Sequence, residues 1–167
     1  MSAEAQAAQP DARPRYTDEE LAAQPAPYWT KLAYEATIGF VRRKQAEAGF
    51  TQPRFWILRF LSANDVSEDG QGRTVGELRA AMASFLRPED DLAAEAEVLL
   101  AAGWVTRDGD GRLWITEAGD AARAGLKARA PEWRAELHAG ISDADYATAL
   151  RVLMRLLRNT GATVPAL

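Results

Sequence analysis

The sequence contains no cysteine and only one histidine, His138. Without thiols the chain can form neither disulfides nor thiolate metal sites, and a single imidazole is too few for a histidine-based metal cluster or for most catalytic triads. Carboxylates are plentiful, but the sequence places no pair of them in an apolar pocket and no nucleophile beside a base. We therefore expect no enzyme, no catalytic residue, no metal and no cofactor.

Long hydrophobic runs are also missing from the sequence. No stretch reaches the roughly 18 apolar residues that suggest a membrane span, and the N-terminus lacks a basic region followed by an apolar run. We expect a cytoplasmic protein with no membrane partner. The 167 residues are 47% hydrophobic, which is ample for one packed domain with terminal extensions. The net charge of -4 argues against indiscriminate nucleic-acid binding, although a local basic patch can still bind phosphate.

A β-hairpin is the sharpest local signal in the chain. Two β-rich runs, Trp104-Val105-Thr106-Arg107 and Arg112-Leu113-Trp114-Ile115-Thr116, flank the segment Asp108-Gly109-Asp110-Gly111. Such turn residues tolerate positive φ. The pattern predicts a compact two-stranded wing.

Two short helices are predicted before this hairpin. Thr74-Val75-Gly76-Glu77 fits a capping box, so the first helix is expected to begin directly after Thr74. Ser84-Phe85-Leu86-Arg87 supplies a turn, and Pro88 suits the first position of the second helix because its missing amide proton costs nothing there. The second helix is predicted to run to Ala102 and to stop at Gly103. Helix, turn, helix and hairpin in this order predict a winged helix-turn-helix, with the second helix as recognition helix.

Further helices flank this winged lobe. We divide the chain into a disordered arm (1–27), a dimerisation helix (28–50), the lobe (51–116), helices that return to the dimer interface (117–160) and a tail (161–167). Residues 62–72 of the lobe form a polar, acidic loop that we expect to be mobile. After the wing, a helix is predicted to begin at Thr116-Glu117 and to continue past Trp133 with a kink near Pro131.

The apolar residues of the flanking helices predict a dimer. The helix from Tyr28 carries apolar side chains on two sides, so it needs cover from two directions. The last helix repeats apolar residues at alternating spacings of four and three, which is typical of helix pairing. A monomer that buries these residues internally is the alternative. We predict a two-fold interface formed by Tyr28, Trp29, Leu32, Tyr146, Leu150, Leu153 and Leu157.

The most aromatic stretch of the chain follows Pro53 and contains Phe55 and Trp56. Aromatic side chains at helical spacing usually belong to the core. Because pockets for small ligands are largely apolar, the same rings could also line one, together with Tyr34 and Ile38 of the preceding helix. Both interpretations remain open at the level of sequence.

Several short motifs, in order, resemble the multiple-antibiotic-resistance regulator (MarR) family of winged-helix transcription factors. Phe50-Thr51-Gln52-Pro53-Arg54-Phe55-Trp56-Ile57-Leu58 resembles the family's second helix, and Leu99-Leu100-Ala101-Ala102-Gly103-Trp104-Val105 resembles the end of its recognition helix. Asp110-Gly111-Arg112 resembles the Asp-x-Arg of its wing, and Ile115-Thr116-Glu117-Ala118-Gly119 resembles the Leu-Thr-x-x-Gly that follows. The resemblance covers roughly residues 28–160.

The resemblance implies a fold and a function. The expected fold class is mainly α with a small β-hairpin wing, a MarR-like winged helix-turn-helix with N- and C-terminal dimerisation helices. The expected function is a homodimeric transcriptional regulator that binds a pseudo-palindromic operator in double-stranded DNA. Many members release DNA when a phenolic or other small ligand binds, so a small aromatic ligand is a further expected partner.

The resemblance also implies roles for individual residues. Arg112 corresponds to the wing arginine that enters the minor groove, whose negative potential attracts it, and Asp110 to the acid that steadies it. Ser84, Arg87 and Asp90 would lie nearest the major groove. Phosphate contacts would come from Arg54, Arg73, Arg79, Arg87, Arg107 and Arg112.

The recognition helix departs from the family pattern because it is acidic. Between Ser84 and Gly103 the only basic residue is Arg87. A helical projection places Asp90, Ala94, Glu97 and Ala101 outward, where the family usually carries hydroxyl or basic residues. This motivates an alternative hypothesis, that the chain is a winged-helix interaction module or ligand sensor that has lost specific DNA binding. The acidic residues of this segment are Glu89, Asp90, Asp91, Glu95 and Glu97.

Overall fold

The structure, a computed structural model, describes residues 16–165, so most of the predicted arm and the end of the tail lie outside the described residues. A two-stranded antiparallel sheet lies within a mainly helical chain, which confirms the predicted fold class. The elements are α1 (Asp18–Ala22), α2 (Ala26–Glu47), α3 (Gln52–Leu61), α4 (Val75–Ala81), α5 (Leu92–Ala101), β1 (Val105–Arg107), β2 (Leu113–Ile115), α6 (Glu117–Lys127), α7 (Ala130–Leu137) and α8 (Asp143–Asn159).

The described residues belong to two compact units. Lys31–Trp133 form one unit, and the described parts of Met1–Thr30 and Arg134–Leu167 form the other. The first unit contains the whole winged lobe. The second contains α1 and α8. Within the predicted arm, the structure places helix α1, which the sequence analysis did not anticipate.

The core of the Lys31–Trp133 unit is built around α3. Thr51 caps this helix, its side chain accepting a hydrogen bond from the amide of Arg54 at 3.2 Å. The apolar face of α3 is buried and packs against α5 and α6. Each fully buried leucine or isoleucine contributes roughly 1.5–3 kcal/mol, and this cluster therefore holds the lobe together. Its fully buried side chains include Ile57, Leu58, Leu78, Met82, Leu92, Leu99 and Leu113.

The first helix of the helix-turn-helix begins where the capping box predicts. The Glu77 amide donates to the Thr74 hydroxyl at 3.2 Å, and the Thr74 amide donates to the Glu77 carboxylate at 2.8 Å. The predicted start of the second helix at Pro88 is wrong, because α5 begins at Leu92. The Asp91 carboxylate accepts hydrogen bonds from the amides of residues 93 and 94, so this stronger cap sets the helix start.

The wing forms as the sequence predicts, with Val105 paired to Ile115 and Arg107 to Leu113. Asp108 shapes its tip: one carboxylate oxygen accepts from the amides of Asp110 and Arg112, and the other accepts from the Trp114 indole at 2.7 Å. On the far side of β2, the backbone of Arg73 pairs with that of Leu113. The hairpin is therefore extended by a third short segment that leads into α4.

After the wing, the predicted continuous helix with a kink is wrong, because the chain forms two helices, α6 and α7. Pro131 has no amide proton to donate to the carbonyl one turn earlier, so the first helix cannot continue through it. Gly119 in the first turn of α6 lies so close to β1 that a Cβ there would clash with the Trp104 carbonyl oxygen. This contact explains why the motif after the wing requires glycine.

The loop at residues 62–72, which we expected to be mobile, is held by ion pairs. Asp65 accepts hydrogen bonds from Arg59 at 2.9 and 3.0 Å, from Arg123 at 2.8 Å and from Lys127 at 3.1 Å. The Asp65 side chain is only 3% exposed. These long-range partners on α3 and α6 anchor the loop at Asp65 and are not visible as a local sequence pattern. The mobility of the rest of the loop stays a prediction.

The carboxylate of Asp120 joins the same network and is expected to make folding pH-dependent. Hydrogen bonds from Arg123 and then from Ser62 lower the pKa of Asp120 from 3.8 to about 2. A carboxyl group that holds its proton less tightly in the folded state stabilises that state above about pH 4, and this contribution disappears as the pH falls towards 2. Because 26% of the Asp120 side chain is exposed and solvent screens its partners, the contribution at neutral pH is about 1–2 kcal/mol.

We therefore expect Asp120→Asn to lower the free energy of unfolding at pH 6 but to have little effect near pH 2. Denaturant titrations of both proteins at several pH values between 2 and 6 measure this difference. A difference of equal size at both ends of the range would show that the charge of Asp120 does not stabilise the fold.

Within the described residues, no helix is both long and apolar enough to span a membrane.

Candidate nucleic-acid interface

The exposed face of α5 carries no cation. Ala93, Ala94, Glu97, Val98 and Ala101 are exposed, and the Val98 side chain is 44% exposed. Leu92, Ala96 and Leu99 on the opposite face are buried in the core. The projected outward positions of Ala94, Glu97 and Ala101 are therefore confirmed. A recognition helix with this surface has no side chain of its own to neutralise phosphate.

The predicted position of Asp90 near the major groove is wrong, because its side chain is only 6% exposed. Arg42 of α2 donates two hydrogen bonds to its carboxylate at 2.7 and 2.9 Å, and the Arg87 amide donates a third at 2.8 Å. The hydrogen bonds from Arg42 lower the pKa of Asp90 despite its burial. Asp90 therefore anchors α2 to the turn and cannot contact bases.

Arg112 follows the wing tip but does not point freely into solvent. Its guanidinium donates to the two carboxylate oxygens of Glu77 on α4, at 3.0 and 3.1 Å, and to the carbonyl oxygen of Gly72 at 2.7 Å. The prediction that Asp110 steadies Arg112 is wrong, since the carboxylate in contact with Arg112 is that of Glu77. Asp108 rather than Asp110 organises the turn, because its carboxylate accepts the amide of Arg112.

Arg107 and Arg87 are also paired with carboxylates. On β1, Arg107 donates to Glu97 of α5 at 2.6 Å, and both side chains are exposed. In the turn before α5, Arg87 donates to Glu35 of α2 at 3.1 Å. Each of these predicted phosphate contacts must therefore break or share an ion pair before DNA can be bound.

The Arg54 side chain connects two helices of the lobe. Its side chain is 18% exposed, pairs with Glu95 of α5 at 2.8 Å and donates to the Gly49 carbonyl oxygen at 3.2 Å. Arg54 thus ties α3 to α5, and its pairing leaves little of the guanidinium for phosphate. The predicted phosphate contact of Arg54 has no support in this geometry.

Three further predicted positions lie at the surface of the helix-turn-helix. Arg79 on α4 and Ser84 in the turn are exposed, and no partner of the Arg79 guanidinium is found among the described residues. Arg73 is half-buried beside the wing, and its Nε is buried without a hydrogen-bond partner. Among the described residues, Arg79 is therefore a predicted phosphate contact that is exposed and has no ion pair to break.

The four residues of the predicted ligand pocket have separate surroundings. The Trp56 ring stacks on Phe85 with centroids 4.4 Å apart, whereas Phe55 packs edge to face on Phe50 at 6.3 Å. Ile38 is half-buried, and Tyr34 is 51% exposed. These contacts favour the core interpretation for Phe55 and Trp56, and the pocket stays a prediction.

The residues of the predicted dimer interface leave much apolar surface uncovered. In the unit that contains α8, Leu153 and Leu157 are each 39% exposed, whereas Leu150 and Tyr146 are half-buried, the latter against His138. Tyr28 and Trp29 at the start of α2 are exposed and contact each other edge to face. Leu32, in the other unit, is exposed as well.

An apolar cleft of about 650 Å³ lies between the start of α2 and the end of α8. Both of these segments belong to the same unit. The lining residues are Ala26, Pro27, Thr30, Leu153, Leu156, Leu157 and Thr160.

Comparison with solved structures identifies the fold. No protein-family model and no curated protein matches the chain. The crystal structure of a MarR family protein from Mycobacterium tuberculosis matches with a TM-score of 0.62 and 23% identity, covering 81% of this chain and 97% of that chain. A MarR family transcriptional regulator from Silicibacter pomeroyi matches with a TM-score of 0.62 and 20% identity, covering 87% and 99%. The reduced form of MarR from E. coli matches with a TM-score of 0.60 and 17% identity, covering 80% and 94%.

The Mycobacterium tuberculosis protein has also been solved in complex with DNA and in complex with p-aminosalicylic acid, and both structures match this chain. Because the identities are below 25%, these structural matches establish the fold alone. The chain has the winged-helix fold of MarR family transcriptional regulators, as the resemblance of its motifs predicted.

Proposed function

We propose that this chain is a DNA-binding transcriptional regulator of the MarR type that acts as a homodimer on a pseudo-palindromic operator. The observation that supports it best is the arginine-bearing wing beside a recognition helix, in a fold shared with a protein that has been solved with DNA. Arg107 and Arg112 flank the tip of this wing. A narrow minor groove attracts such side chains through its negative potential.

In this proposal the wing and α4 supply most of the phosphate contacts. Among the described residues Arg79 is exposed and has no partner for its guanidinium, and the carboxylates that pair with Arg107 and Arg112 are exposed, so DNA can reach these positions. Arg112 also donates to the Gly72 carbonyl oxygen at 2.7 Å, a bond that must break or be shared on DNA. The helix α5 contributes shape and van der Waals contact rather than charge. Since affinity falls with salt in proportion to the number of phosphates neutralised, this small basic surface implies a shallow salt dependence.

Dimerisation is supported by the apolar surface that a single chain exposes. Val152, Leu153, Leu156 and Leu157 of α8 are between 38% and 55% exposed. Continuous apolar patches of this kind are uncommon on monomers and mark interfaces. A two-fold dimer carries two wings, one for each half-site of a pseudo-palindrome.

We expect the double substitution Leu153→Glu with Leu157→Glu to convert the dimer into a monomer, because it places charges in an apolar interface. Multi-angle light scattering after size-exclusion chromatography measures the mass directly. Val66→Glu is the matched control, since Val66 in the loop after α3 is 38% exposed and apolar. A wild-type mass of one subunit, or an unchanged dimer in the double variant, would contradict this interface.

Release of DNA by a small aromatic ligand belongs to the proposal as well. It is supported by the structure of the Mycobacterium tuberculosis protein with p-aminosalicylic acid. Titrating the wild-type protein and DNA with p-aminosalicylate as the probe, followed by fluorescence anisotropy of labelled DNA, tests whether an aromatic carboxylate displaces this chain.

The operator is unknown, so the decisive experiment is selection by the protein itself. The purified full-length protein is incubated with a random duplex library at moderate salt, and the bound duplexes are sequenced after several rounds. Enrichment of a two-fold symmetric motif, confirmed by a mobility-shift titration, is the expected result. Failure to enrich any motif would overturn the proposed function.

A second candidate is a winged-helix module that binds a basic protein partner instead of DNA. The acidic, cation-free face of α5 favours it, since Glu97 and Val98 lie where a regulator needs donors for phosphate. The selection experiment separates the two candidates, because tight, sequence-specific DNA binding by the pure protein excludes this one.

A further inference from the structure

We infer that Glu77 and Glu97 are internal competitors of DNA phosphate: each holds one wing arginine in an ion pair that a duplex must displace, so the two residues set the affinity of this interface for DNA. The inference rests on the proposed function in that it concerns the same surface. Neither the sequence motifs nor the shared fold gives Glu77 or Glu97 a role in DNA binding.

The geometry of the two pairs is that of an arginine bound to an anion. Arg112 meets both oxygens of Glu77 at 3.0 and 3.1 Å, the bidentate arrangement that a guanidinium also forms with phosphate. Arg107 meets one oxygen of Glu97 at 2.6 Å. Each carboxylate thus occupies the donors that a DNA phosphate would need.

Both pairs are exposed, which allows DNA to replace them. The side chains of Arg112 and Glu77 are 39% and 45% exposed, and those of Arg107 and Glu97 are 39% and 63% exposed. Ion pairs at such positions are weak because water and salt screen them. The Arg42–Asp90 pair differs, since both of its side chains are at most 20% exposed. The exposed pairs can therefore open on DNA, whereas the shielded pair fixes the fold.

The pairs also lie on the elements that approach DNA in a winged helix. Glu97 is on the exposed face of the recognition helix, Glu77 is on α4, and the two arginines flank the tip of the wing. Even after an arginine has moved to phosphate, its former partner remains near the duplex and repels it. Each carboxylate therefore weakens DNA binding twice, by holding the arginine and by its own charge.

Glutamine substitutions test this without removing side-chain volume or helix propensity. Glu97→Gln keeps the shape of the exposed side chain. Glu77→Gln keeps the capping box, in which glutamine replaces glutamate well, so the start of α4 is preserved. Glu132→Gln is the matched control, because Glu132 lies on α7, outside the winged elements, and is the exposed partner of Arg129.

The probes are the duplex that the wild-type protein selects and a scrambled duplex of the same length. We expect Glu77→Gln and Glu97→Gln each to tighten binding to both duplexes by about 10-fold relative to Glu132→Gln. The slope of log affinity against log salt should steepen by up to about 0.9 for each carboxylate removed from the interface. In an Arg107→Gln background, the gain from Glu97→Gln should be clearly smaller, because the part that comes from the released arginine is absent and only the removed charge of Glu97 still acts.

Four outcomes separate this inference from the proposed function. If the wild type selects a motif and the variants gain affinity, both stand. If the wild type selects no motif but the variants gain affinity for the scrambled duplex, the inference stands and the proposed function falls. If the wild type selects a motif and the variants behave like Glu132→Gln, the inference is overturned alone. If the wild type selects no motif and the variants behave like Glu132→Gln, both are overturned.

Discussion

Asp65→Ala is expected to destabilise the winged lobe by about 3–5 kcal/mol, which is the cost of breaking a buried ion pair by removing one partner. The Asp65 carboxylate is 3% exposed and is the common acceptor of Arg59, Arg123 and Lys127. Burial raises the pKa of Asp65, but the hydrogen bonds from Arg59 and Lys127 outweigh it, and the pKa lies below its ordinary value. Without Asp65, the nearly buried guanidinium of Arg123 keeps only Asp120 as a carboxylate partner.

The measurement is the free energy of unfolding from a denaturant titration at neutral pH. Glu68→Ala is the matched control, because Glu68 belongs to the same loop and is exposed; we expect it to change stability by less than about 0.5 kcal/mol. Changes of equal size in the two variants would show that the network around Asp65 makes no specific contribution to the stability of the lobe.

The elements that the sequence predicts well are those with a local physical cause. The capping box at Thr74 lies within four residues of the chain, and the wing depends on a turn whose aspartates and glycines favour the turn conformation without help from distant residues. Gly103 ends the recognition helix with a positive φ of 69°, as a glycine after a helix predicts. The helix start at Leu92 was missed because two neighbouring signals competed, and the Asp91 cap prevailed over Pro88.

The candidate site was less predictable because its chemistry depends on pairs far apart in the chain. Glu77 lies 35 residues before Arg112, and Asp90 lies 48 residues after Arg42. A sequence pattern shows the charge of each residue but not the partner that neutralises it. The number of arginines was therefore a poor guide to the number of free cations. Arg54, Arg87, Arg107 and Arg112 all have carboxylate partners.

The acidic recognition helix and the paired arginines have one explanation in common. Two of the acids that make this segment unusual, Glu95 and Glu97, are partners of Arg54 and Arg107. A third, Asp90, is the partner of Arg42, and Asp91 caps α5. Asp90, Asp91 and Glu95 therefore have roles in the fold, and the conflict between the charge of this segment and DNA binding is confined mainly to the exposed Glu89 and Glu97.

Arg112→Ala should weaken binding to the selected duplex by about 10-fold or more. In a homodimer the substitution removes two wing arginines at once, and each hydrogen bond of a charged group of this kind contributes roughly 1.5–3 kcal/mol. The substitution also leaves Glu77 with no guanidinium beside it, so an uncompensated carboxylate then faces the duplex. Both effects act in the same direction, which makes Arg112 the position with the largest expected loss of DNA affinity.

Fluorescence anisotropy titration at moderate salt, with the duplex that the wild type selects, gives the two dissociation constants. Arg129→Ala is the control, because Arg129 on the segment between α6 and α7 is 42% exposed and pairs with Glu132, much as Arg112 pairs with Glu77. Thermal unfolding of both variants confirms that the lobe is intact. Equal affinity of wild type and Arg112→Ala would show that the wing does not hold DNA, and with it the main support for a DNA-binding regulator would be lost.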